Sequence, residues 1–286
     1  MSPSTKKELH LPGWLHDILE RHLDADVELP ILPEASARIL SMCEDENTDA
    51  KALEAVLERD PSLASHVLRI ANSSAWAPKE PIVSLQQAVS RLGLAAMRNI
   101  VLAISLQGRV FKVPGHQSQV RSIWIHCAVT AAFAREVARK LRRNVEAAFL
   151  CGLLHDIGRP VVLQATVDTL AHRSKEPLPV ALLETAMDEF HEEIAGRMVA
   201  EWKLAEWTVA VVANHHHPER AAPHEEQAYI TYVADLLADW AMDETRGPED
   251  FPLDDPRFDP LNLYPEDIEA LLTFRGKALE FAEAFR

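Results

Sequence analysis

Glycine is scarce in this chain, 9 of 286 residues, and none is spaced as GxGxxG, GxxxxGK or GxSxG. Phosphate-cradling loops and the strained nucleophile turn of serine hydrolases need such clusters, so both chemistries are excluded. Cysteine is scarcer still. Cys43, Cys127 and Cys151 are scattered singly, which rules out a disulfide framework and a CxxC metal knuckle. They read as small core residues of a protein in a reducing, cytoplasmic compartment. Cationic charge is also short, with 29 Lys and Arg against 44 Asp and Glu, for a net charge of −15. Phosphate contacts need clustered cations, so no nucleic-acid partner is expected. The one local run of cations, Arg135, Arg139, Lys140, Arg142 and Arg143, reads as a solvated helix face.

Long apolar runs are missing too. No stretch approaches 18 uninterrupted apolar residues, and "MSPSTKKELHLPGWL" at the start lacks an apolar segment of signal length. Neither a membrane span nor standard export is therefore expected. Aromatics make up only 6% of the chain and β-branched runs are short, while Ala and Leu are plentiful within a 48% hydrophobic total. That balance favours helices over sheets, and an all-α protein with a substantial core is expected.

The pattern along the chain supports this. "RDPSLASHVLRIANSS" places Asp60 to cap a helix and Pro61 at its first position, with Val67, Leu68, Ile70 and Ala71 as its buried stripe. "VSLQQAVSRLG" offers a capping box, Ser84 with Gln87, and closes on Gly93 in a left-handed conformation. Pro114-Gly115 breaks the helical pattern, "AHRSKEPLP" breaks it again, and the segment from Asp243 to Glu266 reads as an irregular wrap before a last helix. No repeat of fixed period is present.

Chemistry concentrates in "AAFLCGLLHDIGR", where His155 and Asp156 stand side by side within one of the most apolar segments. Gly158 and Pro160 interrupt that segment just beyond, so the pair falls at a helix end. His126 in "IWIHCAV", His191 in "DEFHEEIAG", the run His215-His216-His217 and Asp235 in "YVADLLA" also lie on or at the ends of largely apolar helices. Taken alone, each histidine reads as an ordinary core or surface residue. A buried carboxylate is different, because an ionised Asp in an apolar helix must be paired, hydrogen-bonded or metal-bound. Three consecutive histidines cannot all face one way, so His215 and His216 are expected inward and His217 toward solvent. Imidazoles and carboxylates without thiolate suit Fe, Mn, Zn, Ni or Co, and a bridging Asp can hold two ions, the chemistry of phosphoester hydrolysis. Cys127 points about 100° away from His126 around the helix and is a poor nucleophile candidate.

The ordered series His126, His155-Asp156, His191, His215-His216, Asp235 resembles the HD superfamily of metal-dependent phosphohydrolases. More closely, "LPILPEASARIL", "LERDPSLASHVLRIANSSAW", "SLQQAVSRLG", "LCGLLHDIGRPVVL", "FHEEIAGRMVAEWKL" and "VVANHHHPE" resemble the HDOD (HD-related output domain) family of bacterial signalling proteins, over roughly residues 26–240. The resemblance implies an N-terminal helical bundle packed on an HD-type helical bundle. The expected divisions are an extension at 1–25, an N-terminal HDOD subdomain at 26–113, an HD-like subdomain at 114–240 and an acidic segment with a helix at 241–286. The chain departs from the cyclic di-GMP phosphodiesterases of the HD-GYP branch. It reads "HHHPERAAPHEEQ" without a GYP motif, has Arg159 where those enzymes tend to carry a lysine, and has Ser122 where some carry an acidic ligand.

The resemblance implies a bacterial signal-transduction module that acts through protein or nucleotide binding, with an HD site that can hold metal. The alternative is an active metal-dependent phosphohydrolase on a nucleotide or cyclic dinucleotide. In that reading His126, His155, Asp156, His191, His215, His216 and Asp235 hold one or two ions, Asp156 is essential to catalysis and Arg159 steadies a phosphate. A signalling protein is the expected partner, and an apolar helix face leaves room for a homodimer.

Overall fold

The computed structural model describes residues 10–25, 29–32, 34, 37–39, 42, 50–57, 60–73, 76, 80–109, 113–171 and 179–284. Cys43, positions 33, 35, 36 and 40 of "LPILPEASARIL" and the break at 172–178 lie outside them. Among the described residues every regular element is a helix, and the all-α expectation holds.

The helices are α1 (Gly13–Ala25), α2 (Ala50–Leu57), α3 (Pro61–Ala71), α4 (Leu85–Arg109), α5 (Gln117–Lys140) and α6 (Val145–Leu154). They continue with α7 (Arg159–Ala171), α8 (Val180–Glu201), α9 (Glu206–Val212), α10 (Glu225–Met242), α11 (Pro265–Leu272) and α12 (Arg275–Glu283). Their ends follow the local chemistry. Asp60 accepts from Leu63 N at 3.0 Å with Pro61 behind it, and Asn144 accepts from Glu146 N and Ala147 N at 3.1 Å. Ser84 caps Gln87 N, while Gln87 reaches back to Val83 N rather than to Ser84, one residue outside the expected box. Gly93 takes φ +82° and ψ 168°, a non-helical conformation that closes the first stretch of α4 as expected, and a second helical stretch continues beyond the kink.

The first helices form a bundle in which α4 packs on α2 and α3 and then reaches α6 of the second bundle, where Asn99 donates to Glu146 O at 2.9 Å. Leu85–Leu106 is long and apolar enough to cross a membrane, but 61% of that window is buried inside the fold, so its apolar faces are core faces.

Helix α5 organises the second bundle: α6, α10 and α12 all lie against it. Small residues permit the closest of these contacts. Ala128, Ala131, Ala132 and Ala134 are buried along α5, and Gly152 of α6 sits so near that a Cβ there would come within 2.9 Å of Ala131 Cα. The segment after α10 wraps around Arg275, whose guanidinium donates to the carbonyls of Ala241, Asp243 and Arg246 at 2.7–3.0 Å and stacks over Trp240. This fixes the end of α10. Four of the five cations in the run at the end of α5 and just beyond it pair with carboxylates: Arg135 with Glu146, Arg139 with Glu136, Lys140 with Asp267 and Arg143 with Glu226.

Gly158 closes the turn after α6 directly against α8, where an added Cβ would meet the His191 carbonyl oxygen and stand 2.8 Å from Ala195 N. Gly158→Ala is expected to cost about 1–3 kcal/mol by overpacking. Urea denaturation measures it; a loss under 0.5 kcal/mol would show that the turn and α8 are not locked together.

Candidate metal centre

Four helices and the turns that follow two others bring the candidate residues to one place. His126 lies midway along α5, His191 along α8 and Asp235 along α10. His155 and Asp156 occupy the turn after α6, Arg159 opens α7, and His215 and His216 lie in the turn after α9. His155, His191 and His215 are fully buried, and Asp156 and Asp235 expose only 4% and 7%. His216 is one-third exposed, while His217 is half exposed and faces Glu219 at 3.7 Å.

Backbone carbonyls fix three of the imidazoles. Nδ1 lies 2.8 Å from Gly152 O in His155, from Met187 O in His191 and from Val212 O in His215. A carbonyl oxygen only accepts, so each Nδ1 carries the proton and donates it. Burial above all pulls His191 down to about 4 and His215 well below the usual imidazole range. Both are neutral near pH 7, and each Nε2 presents a lone pair inward.

The consequence is a contact between acceptors. His191 Nε2 lies 3.3 Å from His215 Nε2 and 3.2 Å from Asp156 Oδ1, an oxygen with no hydrogen-bond donor; His215 Nε2 lies 3.8 Å from the same oxygen. Left unsatisfied, buried acceptors cost roughly 1–3 kcal/mol each. A cation among them removes that cost. Donors held about 2.0–2.2 Å from a shared ion stand roughly 3.0–3.5 Å from one another, which is close to the spacing of this set.

A second set adjoins the first. His126 Nε2 is 2.8 Å from Asp235 Oδ1 and 3.3 Å from His155 Nε2, which is 3.4 Å from that same Asp235 oxygen. Asp156 Oδ2 faces both imidazoles, 3.6 Å from His155 and 3.9 Å from His126. The two oxygens of Asp156 therefore face different histidine pairs. These His and Asp groups fit a metal ion by donor type and spacing, and in the first set by protonation as well, so they can hold one.

Charge within the cluster is balanced locally. Burial opposes ionisation of Asp156, yet the groups around it, His155, Arg159, His191 and His126, hold its carboxyl well below the usual range. Arg159 Nε lies 2.6 Å from Asp156 Oδ2 and Nη1 donates to Asp188 at 2.8 Å. Burial likewise opposes Asp235, but the hydrogen bond from His126 holds its carboxyl well below the usual range. For His126, burial pulls downward and the bond to Asp235 with the charges of Asp235, Asp156 and Asp239 wins, raising it to about 9. Cys127 and Cys151 are buried thiols pushed upward first of all by desolvation, which leaves them as core residues.

Three supporting residues escaped the sequence reading. Asp239 Oδ1 stands 3.5 Å from His126 Nδ1, and its i, i+4 relation to Asp235 on one helix face was the available signal. Glu192 accepts from His216 N at 2.9 Å, and Asp188 holds Arg159. Neither stands out in sequence from the neighbouring acids of α8. Over the cluster opens a cleft of about 460 Å³, lined in part by Gln119, Ser122, His126, Asp156, His216 and Asp235.

The HDOD domain profile matches residues 29–218, two thirds of the chain. The chain belongs to the HDOD family. Relatives of this HDOD chain include an uncharacterised protein of Treponema pallidum (strain Nichols), 24% identical over 214 residues, covering 72% of this chain and 41% of that one. Another is the uncharacterised protein YuxH of Bacillus subtilis (strain 168), 25% identical over 176 residues, covering 62% of this chain and 40% of that one. The chain thus spans about two fifths of the length of the curated relatives it matches. Among solved structures, it is similar to a Shewanella amazonensis SB2B protein provisionally named a phosphohydrolase, with TM-score 0.69, 26% identity and coverage of 95% and 100% of the two chains. A second from that organism, provisionally named a metal-dependent phosphohydrolase, has TM-score 0.75 at 17% identity and covers 96% and 100%. An HDOD domain protein of unknown function from Geobacter sulfurreducens has TM-score 0.66 at 21% identity and covers 95% and 98%. The fold is that of HD-related helical proteins.

If the inward lone pairs are satisfied by a cation, manganese or zinc should stabilise the native chain by roughly 2.7 kcal/mol at one hundred times its dissociation constant. Differential scanning fluorimetry against EDTA-treated protein measures this, and Asp156→Ala should abolish the response. A wild-type chain whose melting temperature ignores both ions, or a variant that responds equally, would count against a metal centre.

Proposed function

We propose that this HDOD protein is a regulatory module that retains a two-ion metal centre and hydrolyses a phosphoester in the cleft above it. The observation that carries the reading is the donor arrangement itself. His191, His215 and Asp156 Oδ1 make one set, with His216 beside it, and His126, His155, Asp235 and Asp156 Oδ2 make the other. Asp156 bridges the two. The provisional names of the Shewanella proteins support the same reaction class, and likeness to a Marinobacter aquaeolei VT8 protein provisionally named for signal transduction supports the regulatory setting.

Iron, manganese, zinc, nickel or cobalt suits the donors, and such ions acidify a bound water and neutralise phosphoryl oxygens. The chain's own residues do the rest. Backbone carbonyls hold His155, His191 and His215 in one tautomer, Asp239 supports His126, and Glu192 anchors the His216 backbone. Arg159 sets the orientation of Asp156 through their ion pair, a positioning role in place of the phosphate contact expected from its place after the HD pair.

A second reading has one observation in its favour: no Lys or Arg in the cleft lining is left unpaired, since Arg159 is held by two carboxylates. In that reading the loaded centre is a structural or sensory element and a signalling protein is the partner.

Elemental analysis and turnover of p-nitrophenyl phosphate by untagged protein separate the two. Hydrolysis by the metal-loaded chain should fall at least 100-fold in Asp156→Ala while the helical circular dichroism is kept. Loaded protein without turnover on a broad phosphoester panel would leave the second reading standing, and undiminished turnover in the variant would place the activity elsewhere.

A further inference from the structure

The cleft above the metal centre has a charge layout that restricts what enters it. Its apolar wall comes from Ile123 of α5, Val180, Leu183 and Met187 of α8 and Met242 at the end of α10. Its remaining charged lining, apart from the metal-facing groups, is acidic: Glu184, Asp188 and Asp239, all exposed. Arg159 is the one Lys or Arg among the lining residues, and its guanidinium is engaged by Asp156 at 2.6 Å and Asp188 at 2.8 Å. At the floor, Asp156 is almost fully buried with Oδ1 lacking a donor, an independent sign that a positively charged species belongs there.

We infer that the cleft selects a small zwitterionic phosphomonoester. Its phosphate meets the loaded metal centre at the floor, a short apolar body lies along Ile123, Leu183 and Met187, and its amino or ammonium group faces Glu184 and Asp239. This deepens the hydrolytic reading and rests on it, because metal ions are the source of positive charge for phosphate in this cleft. Two divalent ions outweigh the Asp156 and Asp235 carboxylates, so the loaded floor is positive while the exposed lining stays negative. A ligand with opposite charges at its two ends fits both. A cyclic dinucleotide does not, since its second phosphate would face carboxylates instead of cations, and like charges brought together weaken binding. The volume, about 460 Å³, is that of a site for a single small ligand.

The test is isothermal titration calorimetry of the manganese-loaded chain, with metal content verified by elemental analysis. The probes are 3-aminopropylphosphonate, propylphosphonate and cyclic di-GMP. The first two resist hydrolysis and differ only in the amino group. The amino probe should bind at least tenfold tighter than propylphosphonate, and cyclic di-GMP weakest of the three. Glu184→Gln should cut the amino advantage to threefold or less and leave propylphosphonate affinity unchanged. Equal binding of the two phosphonates, tighter binding of cyclic di-GMP, or an undiminished preference in Glu184→Gln overturns the inference. Propylphosphonate bound in those cases keeps the metal reading intact. A chain that takes up no manganese, or a loaded chain that binds none of the probes, overturns both.

Discussion

Three proton positions govern this molecule. His155, His191 and His215 each spend their Nδ1 proton on a backbone carbonyl within the same turn of chain, so their Nε2 atoms converge as bare acceptors. Local geometry makes that choice, before any ligand is considered. Once it is made, the interior holds a contact between two imidazole lone pairs and a carboxylate oxygen that the protein does not satisfy on its own. Hydrogen-bond networks that stabilise buried polar groups alternate donors with acceptors. Here the acceptors meet each other, an arrangement that could hold a metal ion.

The surrounding fold serves to keep these atoms together. Residues on separate helices can meet within 3–4 Å only if the helices approach closely, which the alanines of α5, Gly152 and Gly158 allow. Arg275 contributes from the far end of the chain by fastening the terminus of α10, the helix that carries Asp235 and Asp239. Hydrophobic packing thus supplies the rigidity, and polar geometry decides what the rigid frame can hold.

Much of this was legible in the sequence because it is local. The cap at Asp60, the turn after His155-Asp156 and the apolar setting of the ligand series all follow from neighbours along the chain. The convergence of His126, His191, His215 and Asp235 was argued from their shared apolar helical settings and from their order, which resembles a known family. What stayed hidden is tertiary. Arg159 was read, within the hydrolytic alternative, as steadying a phosphate, and its ion pairs with Asp156 and Asp188 depend on how α7 meets α8. Asp188 and Glu192 are two acids among many on α8, and nothing in their spacing marks them. The positive φ of Gly93 was foreseen, and its non-helical backbone does break the helical stretch that starts at Leu85.

Membership of the HDOD family fixes the fold and leaves the chemistry to the individual site, so the account depends on whether this His/Asp cluster binds metal through the inward nitrogens. X-ray absorption at the metal edge of the loaded protein addresses that directly. A nitrogen and oxygen shell at about 2.0–2.2 Å, with the outer-shell scattering of several imidazoles, is expected, and it should be lost on changing Asp156 to Ala. A sulfur-containing shell, which would bring in Cys127 or Cys151, or an oxygen shell without imidazole scattering would contradict it.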